Sequence, residues 1–278
     1  MTNTKKNPPQ LPPDAKLIDT HCHLDMAAYD LDLEAVVHAA AGLGVAQIIA
    51  IGIDWPSSAA AVKIAGRFQD VFAAVGVHPH QAAEAGDDDY ARLAALAEKP
   101  ENKVVGYGEI GLDYAKNYAP RALQIKEFAR QLGLARELRL PVIIHDRDAH
   151  DDTMRLLREA APFPAGGVMH CFSGDRKLAH QVIDLGFHIS IPGIVTFKNA
   201  ETLQQVAADI PLERMLLETD GPFLAPVPWR GKRNKPEYIL HTAQKIADLR
   251  NVSLAEVARR TSDNARALFR LGPAGAAV

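Results

Sequence analysis

The chain has 278 residues, of which 47% are hydrophobic and 23% charged, and its formal net charge is -3. This composition is typical of a globular protein, and it excludes binding to nucleic acid or anionic membranes through overall charge alone. No run reaches the roughly 20 apolar residues that span a bilayer, so we predict no membrane association.

The first 16 residues contain four prolines and no apolar stretch of the kind found in signal peptides. We therefore predict an extended leader over residues 1–16. The two cysteines are too few for a disulfide framework, and free thiols are typical of a reducing compartment. These observations predict a cytoplasmic protein.

From residue 17 onward, short apolar runs alternate with longer helical patterns, which predicts one domain over 17–271 and a tail over 272–278. Short, β-branched apolar runs are typical of parallel strands buried on both faces. The predicted strands are Leu17–His21, Gln47–Ile51, Val71–Val77, Lys103–Gly108, Val142–His145, Gly167–His170, His188–Ile191 and Met215–Glu218. The predicted helices include Asp32–Leu43, Ser57–Phe68, Arg121–Leu138, Ala200–Ala208 and Pro236–Leu249, with Leu254–Leu271 packed outside the strands.

Eight strands that alternate with helices predict an α/β fold that closes into a (β/α)8 TIM barrel. An open, doubly wound sheet shows the same alternation. Such a sheet would concentrate its polar residues near one switch point. Here they follow strands all around the predicted order, and this distribution favours the barrel.

The first predicted strand ends in the sequence Asp19-Thr-His-Cys-His23. Alternation along a strand puts His21 and His23 on one face and Cys22 on the other. Two imidazoles so arranged can share one metal ion. A pair of incidental histidines is the alternative interpretation, because this short motif is common.

Three further strands end in a similar residue: His145, His170 and Asp220 each follow a buried apolar run. The carboxyl ends of barrel strands form the active-site face. Four histidines and an aspartate at matching ends therefore predict a metal centre, although a lone histidine at such a position is usually structural.

The fourth strand adds Glu109 within a glycine-rich segment, where a backbone can approach a ligand closely. A carboxylate has two oxygens and can bridge two cations about 3.5–4 Å apart. A salt-bridged carboxylate is the alternative. Asp113 follows in the same segment, and we expect it to orient a ligand histidine.

These motifs resemble those of the TatD-related metal-dependent deoxyribonucleases, which belong to the amidohydrolase-like barrels. The resemblance runs from about residue 17 to 271. It is carried by residues 20–25, 76–80, 108–113, 170–174, 218–220 and 225–236. Two departures are Gly221, where a serine or alanine is expected, and Trp229, where a histidine or phenylalanine is commoner.

The resemblance implies a barrel of the metallo-dependent hydrolase type with two divalent metal ions. One ion would be held by His21, His23, Glu109 and Asp220, and the other by Glu109, His145 and His170. Mixed nitrogen and oxygen ligands suit zinc, manganese, nickel, cobalt or magnesium.

The implied activity is that of a deoxyribonuclease, similar to a 3'-5' exonuclease, that cleaves phosphodiester bonds with a metal-activated water. Glu109 and Asp220 would be catalytic, with Asp220 accepting the proton of the water. The predicted partner is DNA or another phosphodiester, and no obligate protein partner is predicted. Phosphate contacts are expected from His78, Arg147, Arg230, Lys232, Arg233 and Asn234; the alternative is an ordinary charged surface loop.

Two other classes of function remain open. One is an amide, lactone or ester hydrolase on the same two-metal site, which includes an aminoacyl-tRNA deacylase. Such hydrolases often bridge their metals with a carboxylated lysine, and Glu109 takes that place here. The other is a non-catalytic metal-binding protein, against which the complete ligand set argues.

Overall fold

The computed structural model describes residues 8–116 and 118–275. Residues 1–7 of the predicted leader and 276–278 of the predicted tail lie outside the described residues. The rest of the leader packs on the barrel, since Ala15 is fully buried and Leu11 contacts the core. The described part of the tail does the same, with Gly275 N donating to Asp70 Oδ1 at 2.8 Å.

One parallel sheet of eight strands, in the order of the sequence, forms the centre of the molecule. The strands are β1 Leu17–Cys22, β2 Val45–Ile51, β3 Val71–Val75, β4 Val104–Asp113, β5 Val142–Arg147, β6 Gly167–Met169, β7 His188–Ile191 and β8 Met215–Leu217. All eight predicted strands are present. The predicted end of the fourth strand at Gly108 is wrong, because β4 continues to Asp113 and pairs there with Arg147 of β5.

The sheet closes where the end of β1 meets the chain that follows β8. His23 N donates to Gly221 O at 2.7 Å, and Asp220 N donates to His21 O at 2.9 Å. The buried Asp19 carboxylate adds a side-chain link, since its Oδ1 accepts from Thr219 N at 2.9 Å. The fold is therefore the predicted (β/α)8 barrel, and the first and last groups of site residues lie side by side.

Helices surround the strands and return the chain from one strand to the next. They are α1 Leu33–Gly42, α2 Trp55–Arg67, α3 Asp87–Ala97, α4 Arg121–Glu137, α5 His150–Ala160, α6 Arg176–Asp184, α7 Glu201–Asp209, α8 Ile239–Arg250 and α9 Leu254–Phe269. Side-chain caps fix several starts: Asp54 accepts from Ser57 N at 2.8 Å at the beginning of α2, and Asp175 accepts from Leu178 N at 2.9 Å at α6. Among the described residues, no helix combines the length and the apolar character needed to cross a membrane.

The end of α9 covers the amino-terminal end of the barrel rather than its side. Phe269 joins the interior cluster that contains Ile18 of β1 and Ile143 of β5. Ser262 Oγ of α9 donates to Lys16 O, just before β1, at 2.8 Å. This helix closes the bottom of the barrel with apolar side chains and leaves the carboxyl ends of the strands open.

Candidate metal centre

A change of phase in β1 turns His21 toward the barrel interior, where His23 also points from just after the strand. Ile18 packs in the interior cluster, and Thr20 Oγ1 lies 3.4 Å from Ser190 Oγ of the non-adjacent strand β7. Simple alternation from these residues would turn His21 outward. The pairing of β1 with β2 is irregular between Asp19 and Cys22, and this irregularity brings His21 inward together with His23.

Glu109 lies at the centre of the site, between two groups of imidazoles. Its Oε1 is 2.6 Å from His145 Nδ1 and 2.7 Å from His170 Nε2. Its Oε2 is 3.4 Å from His21 Nε2 and 3.8 Å from His23 Nε2. Each oxygen of the Glu109 carboxylate therefore faces its own pair of imidazole nitrogens, which is the arrangement expected of a bridging ligand.

Asp220 completes the group that contains His21 and His23. Its Oδ1 is 3.3 Å from His23 Nε2 and 3.8 Å from His21 Nε2. Ligand atoms at about 2.0–2.1 Å from a tetrahedral ion stand about 3.3 Å apart. These separations fit a cation between the three side chains without rearrangement of the backbone.

The buried histidine His21 offers an independent test of that fit. It is fully buried, and among the described residues neither of its ring nitrogens has a hydrogen-bond partner. Its ring also stacks on that of His170, with centroids 3.8 Å apart. Buried polar atoms are almost always paired, so an unpaired imidazole aimed at two carboxylates fits a metal ligand.

The charges of the site also suit cations. Burial opposes ionisation of Glu109, but the imidazoles around it, His170 first, hold its pKa well below the usual value. Burial likewise opposes ionisation of Asp220, and its contact with His23 lowers its pKa nevertheless. The pKa of His21 is lowered by burial and by His170. Two carboxylates and this histidine are thus in the deprotonated form that binds a metal.

The pKa values of His23, His145 and His170 are shifted in the opposite direction. Burial lowers each pKa, but nearby carboxylates raise it by more. Asp220 raises the pKa of His23, Asp113 and Glu109 raise that of His145, and Glu109 raises that of His170 well above its usual value. A bound cation would therefore displace protons from these rings.

Carboxylates outside the predicted ligand set lie beside two of its histidines and hold them in position. His170 Nδ1 lies 3.4 Å from Glu218 Oε1, and this fully buried carboxylate also accepts from Cys171 N at 2.6 Å. His145 Nε2 lies 3.3 Å from Asp113 Oδ2, as expected for Asp113. The role of Glu218 was missed, although its place two residues before Asp220 was a signal. Possible ligand atoms of Glu218, His21 and His170 also lie within 4.8 Å of one another.

Two glutamines of α4 fix the strand ends from which these groups project. Gln131 accepts from Val77 N at 2.8 Å and donates to Val77 O at 2.9 Å. Gln124 accepts from Asp113 N at 2.9 Å and donates to Asp113 O at 3.1 Å. Both are buried, and they were not predicted.

Glycine is required where β4 passes β5. At Gly111 the backbone has φ +147°, and a Cβ atom there would lie 1.9 Å from His145 O. A larger residue would push apart the strands that carry Glu109 and His145. The glycine-rich segment was predicted to let the backbone approach a ligand closely, and at Gly111 the close approach is to the backbone of the neighbouring strand.

His78 reaches the same centre from the loop after β3. Its Nε2 is 3.5 Å from Glu109 Oε1, and its ring centroid is 4.4 Å from that of His145. Its Nδ1 accepts a hydrogen bond from His80 N at 3.1 Å. Because Nδ1 accepts from a backbone N–H, it carries no proton, and the proton of the ring is on Nε2. His78 therefore presents a donor, rather than a free lone pair, to the centre.

The remaining predicted phosphate contacts divide into two groups. Arg147, Arg230 and Lys232 are exposed, and the Arg230 guanidinium lies 4.4 Å from the centroid of the Phe197 ring. Arg233 and Asn234 are engaged elsewhere. Arg233 binds Asp32 with both nitrogens, at 2.8 and 2.6 Å, and Asn234 is fully buried, donating to Thr219 O at 2.8 Å. These two residues anchor the loop after β8.

Packing explains both departures from the family pattern, Gly221 and Trp229. A Cβ atom on Gly221 would lie 2.5 Å from the buried Tyr29 hydroxyl, so the smallest residue fits. Trp229 stacks on Tyr238, with ring centroids 5.0 Å apart and an interplanar angle of 2°. This tryptophan is therefore packed against a second aromatic ring of the chain.

The barrel, the central carboxylate and the cluster of imidazoles around it are features of a metal-dependent hydrolase. Comparison with known proteins agrees. A family model described as TatD related DNase matches residues 18–270. The chain belongs to this TatD-related family, as its motifs predicted.

Individual relatives extend over almost the whole chain. A Bacillus subtilis protein named uncharacterized metal-dependent hydrolase YabD is 41% identical over 255 residues, covering 92% of this chain and 99% of its own. A Klebsiella pneumoniae protein named 3'-5' ssDNA/RNA exonuclease TatD is 33% identical over 258 residues, covering 91% and 97%. The crystal structure of YJJV, a TatD homolog from Escherichia coli, has a TM-score of 0.88 at 33% identity, covering 92% of this chain and 98% of its own.

Proposed function

We propose that this protein holds two divalent cations and removes nucleotides from the 3' ends of single-stranded DNA or RNA. The observation that carries the proposal is the position of Glu109, whose two oxygens face His145 and His170 on one side and His21 and His23 on the other. The relatives named as 3'-5' exonucleases on single-stranded DNA and RNA support the choice of substrate.

In this proposal His21, His23, Glu109 and Asp220 hold one cation, and Glu109, His145 and His170 hold the other. When bound, such cations lower the pKa of water and offset the charge of a phosphate in the transition state. Zinc, manganese, nickel, cobalt and magnesium all suit mixed nitrogen and oxygen ligands.

Asp220 is the proposed proton acceptor. It is ionised, because His23 lowers its pKa against the effect of burial. It lies at the open end of the barrel, directly after β8, and its side chain retains 12% exposure. It can therefore take the proton of an attacking water while Glu109 stays fixed between the imidazoles.

His78 is the proposed hydrogen-bond donor to the phosphate. With its proton on Nε2, the ring donates to a non-bridging oxygen beside Glu109, where negative charge grows during phosphoryl transfer. Arg147, Arg230 and Lys232 bind the flanking phosphates of the strand and fix its register. Arg233 and Asn234 contribute to this surface by holding its loop in place.

The test compares purified, metal-reconstituted protein with its Asp220→Asn variant on end-labelled single-stranded DNA and RNA, duplex DNA, a simple ester and a lactam. We expect cleavage of the single strands, and a loss of about 10²- to 10⁴-fold in rate for D220N with unchanged circular dichroism. Asp184→Asn, at the exposed end of α6, is the matched control and should retain full activity.

Two substitutions of His78 separate the loss of its hydrogen bond from the loss of its packing. H78L removes the hydrogen-bond donor and should lower kcat by about 10²-fold. H78Q supplies an amide donor and should recover part of the lost kcat. Hydrolysis of the ester or lactam with nucleic acid untouched would instead assign the site to the rival class of hydrolases. Full nuclease activity of D220N would overturn the catalytic assignment.

A further inference from the structure

Two exposed aromatic side chains lie beside the metal centre. The large hydrophobic residues exposed among the described positions are Leu31, Leu43, Tyr118, Phe223 and Val227. Both aromatic members of this set contact a histidine of the site. Phe223 is 49% exposed, with its ring centroid 6.1 Å from that of His23, and Tyr118 is 66% exposed, with its centroid 4.7 Å from that of His80.

The two rings approach Glu109 through different histidines and different carboxylate oxygens. Phe223 contacts His23, whose Nε2 is 3.8 Å from Glu109 Oε2. Tyr118 contacts His80, whose ring packs on that of His78 with centroids 4.3 Å apart, and His78 Nε2 is 3.5 Å from Glu109 Oε1. A phosphate bound over Glu109 would therefore lie near both rings, each of which is joined to the carboxylate by its own histidine contacts.

The backbone holds each ring in a defined place. Phe223 N donates to Asp220 O at 2.9 Å, so the ring follows the ligand aspartate in one tight turn. On the other side, the residue next to Tyr118 is the buried Ala119, whose carbonyl accepts from Gln124 Nε2 at 2.9 Å. Both rings are therefore largely open to solvent while the adjoining backbone is held by hydrogen bonds.

We propose that Phe223 and Tyr118 stack on the two bases that flank the scissile phosphate, one base on each ring. This inference rests on the proposed nuclease function and names the residues that would recognise its substrate. Any base offers a face for stacking, so such contacts tolerate every sequence. Bases in a duplex already stack on one another and must leave the helix to reach a protein ring. The pair of rings would thus select unpaired strands.

The test is a double-mutant cycle between ring and base. The substrates are a single-stranded oligonucleotide and two analogues that lack the base of either the 3'-terminal or the penultimate nucleotide. The kcat/KM for release of the first nucleotide is measured for wild type, Phe223→Leu and Tyr118→Leu. Leucine keeps apolar contact with the histidine but lacks a flat π face, and metal content is measured for each variant.

We expect F223L and Y118L each to lose about 5- to 100-fold in kcat/KM on the intact strand. For each variant, removal of the base that would stack on the replaced ring should lower kcat/KM no further. That base should be a different one for F223L and for Y118L. Phe223→Tyr, which keeps a ring, should stay near wild type. Val227→Ala changes another exposed apolar residue of the same loop and serves as the matched control.

Equal losses on intact and abasic strands, in variants with full metal content, would overturn the stacking assignment while leaving the nuclease function in place. A wild-type protein that cleaves none of the three strands would overturn the proposed function, and this inference with it. The two failures are therefore distinguishable.

Discussion

Replacement of Glu218 by glutamine should weaken metal binding without weakening the fold. Glu218 Oε1 lies 3.4 Å from His170 Nδ1, on the side of the ring opposite Glu109. A carboxylate in this position fixes the ring and increases its basicity as a ligand, and its loss typically lowers metal affinity 10- to 100-fold. The distance exceeds the roughly 2.7–2.9 Å of a strong charge-assisted bond, so we expect the lower part of the range, about 10- to 30-fold.

The stability of the metal-free protein should change little, because two effects of Glu218 oppose each other. Glu218 Oε2 is buried and, among the described residues, has no hydrogen-bond partner, so a charge there opposes folding. Glu218 Oε1 faces His170, whose pKa Glu109 and Glu218 raise against the effect of burial, and this contact stabilises the fold. Glutamine is neutral and nearly isosteric and removes both effects, so urea unfolding of metal-free E218Q should stay close to wild type. A residue with a purely structural role would show a loss.

The assay is calorimetric titration of the metal-free protein with zinc, in parallel with urea unfolding. Glu237→Gln is the matched control, since Glu237 Oε2 is also buried without a hydrogen-bond partner in the described structure but lies just before α8, outside the ligand set. Equal zinc affinity for E218Q, E237Q and wild type would refute the reasoning. Fewer ions bound at saturation would show that Glu218 is itself a ligand.

Two further substitutions and the pH dependence of metal binding test other parts of this account of the fold and the site. Gln131→Leu leaves the N–H and C=O of Val77 unpaired, and we expect urea unfolding to show a loss of about 2–4 kcal/mol; a loss near zero would show that these bonds are dispensable. Phe269→Ala opens a cavity at the closed end of the barrel and should cost about 3–5 kcal/mol with unchanged metal affinity; a lower affinity would contradict the separation of the two ends. Metal binding should release protons and tighten as pH rises, because Glu109 raises the pKa of His170 and the cation must displace that proton; affinity independent of pH would contradict the charge states assigned here.

The sequence predicted which polar residues follow the strands better than it predicted the bounds of the strands. The apolar runs before His145, His170 and Asp220 placed these residues on one face of a barrel, because strand ends in a parallel barrel share an edge. The glycine-rich segment around Glu109 has no apolar pattern, and its pairing with β5 extends β4 to Asp113. A local pattern cannot predict pairing that depends on a strand thirty residues away.

Residues with distant partners were the hardest to interpret. Arg233 was predicted to contact phosphate, and its guanidinium instead binds Asp32, which lies about two hundred positions earlier in the chain. The phase change that turns His21 inward depends on irregular pairing with β2. Each of these features requires the closed barrel and is absent from any single segment.

The measurement that tests the central claim most directly is the number of divalent ions bound per chain. Metal-free protein would be saturated with zinc or manganese and analysed by mass spectrometry of the metal, together with Glu109→Gln and Asp184→Asn. We predict two ions per chain for wild type and D184N and fewer for E109Q, because Glu109 faces both groups of histidines. Two ions retained by E109Q with unchanged affinity, or no more than one in wild type, would contradict a centre built around this carboxylate.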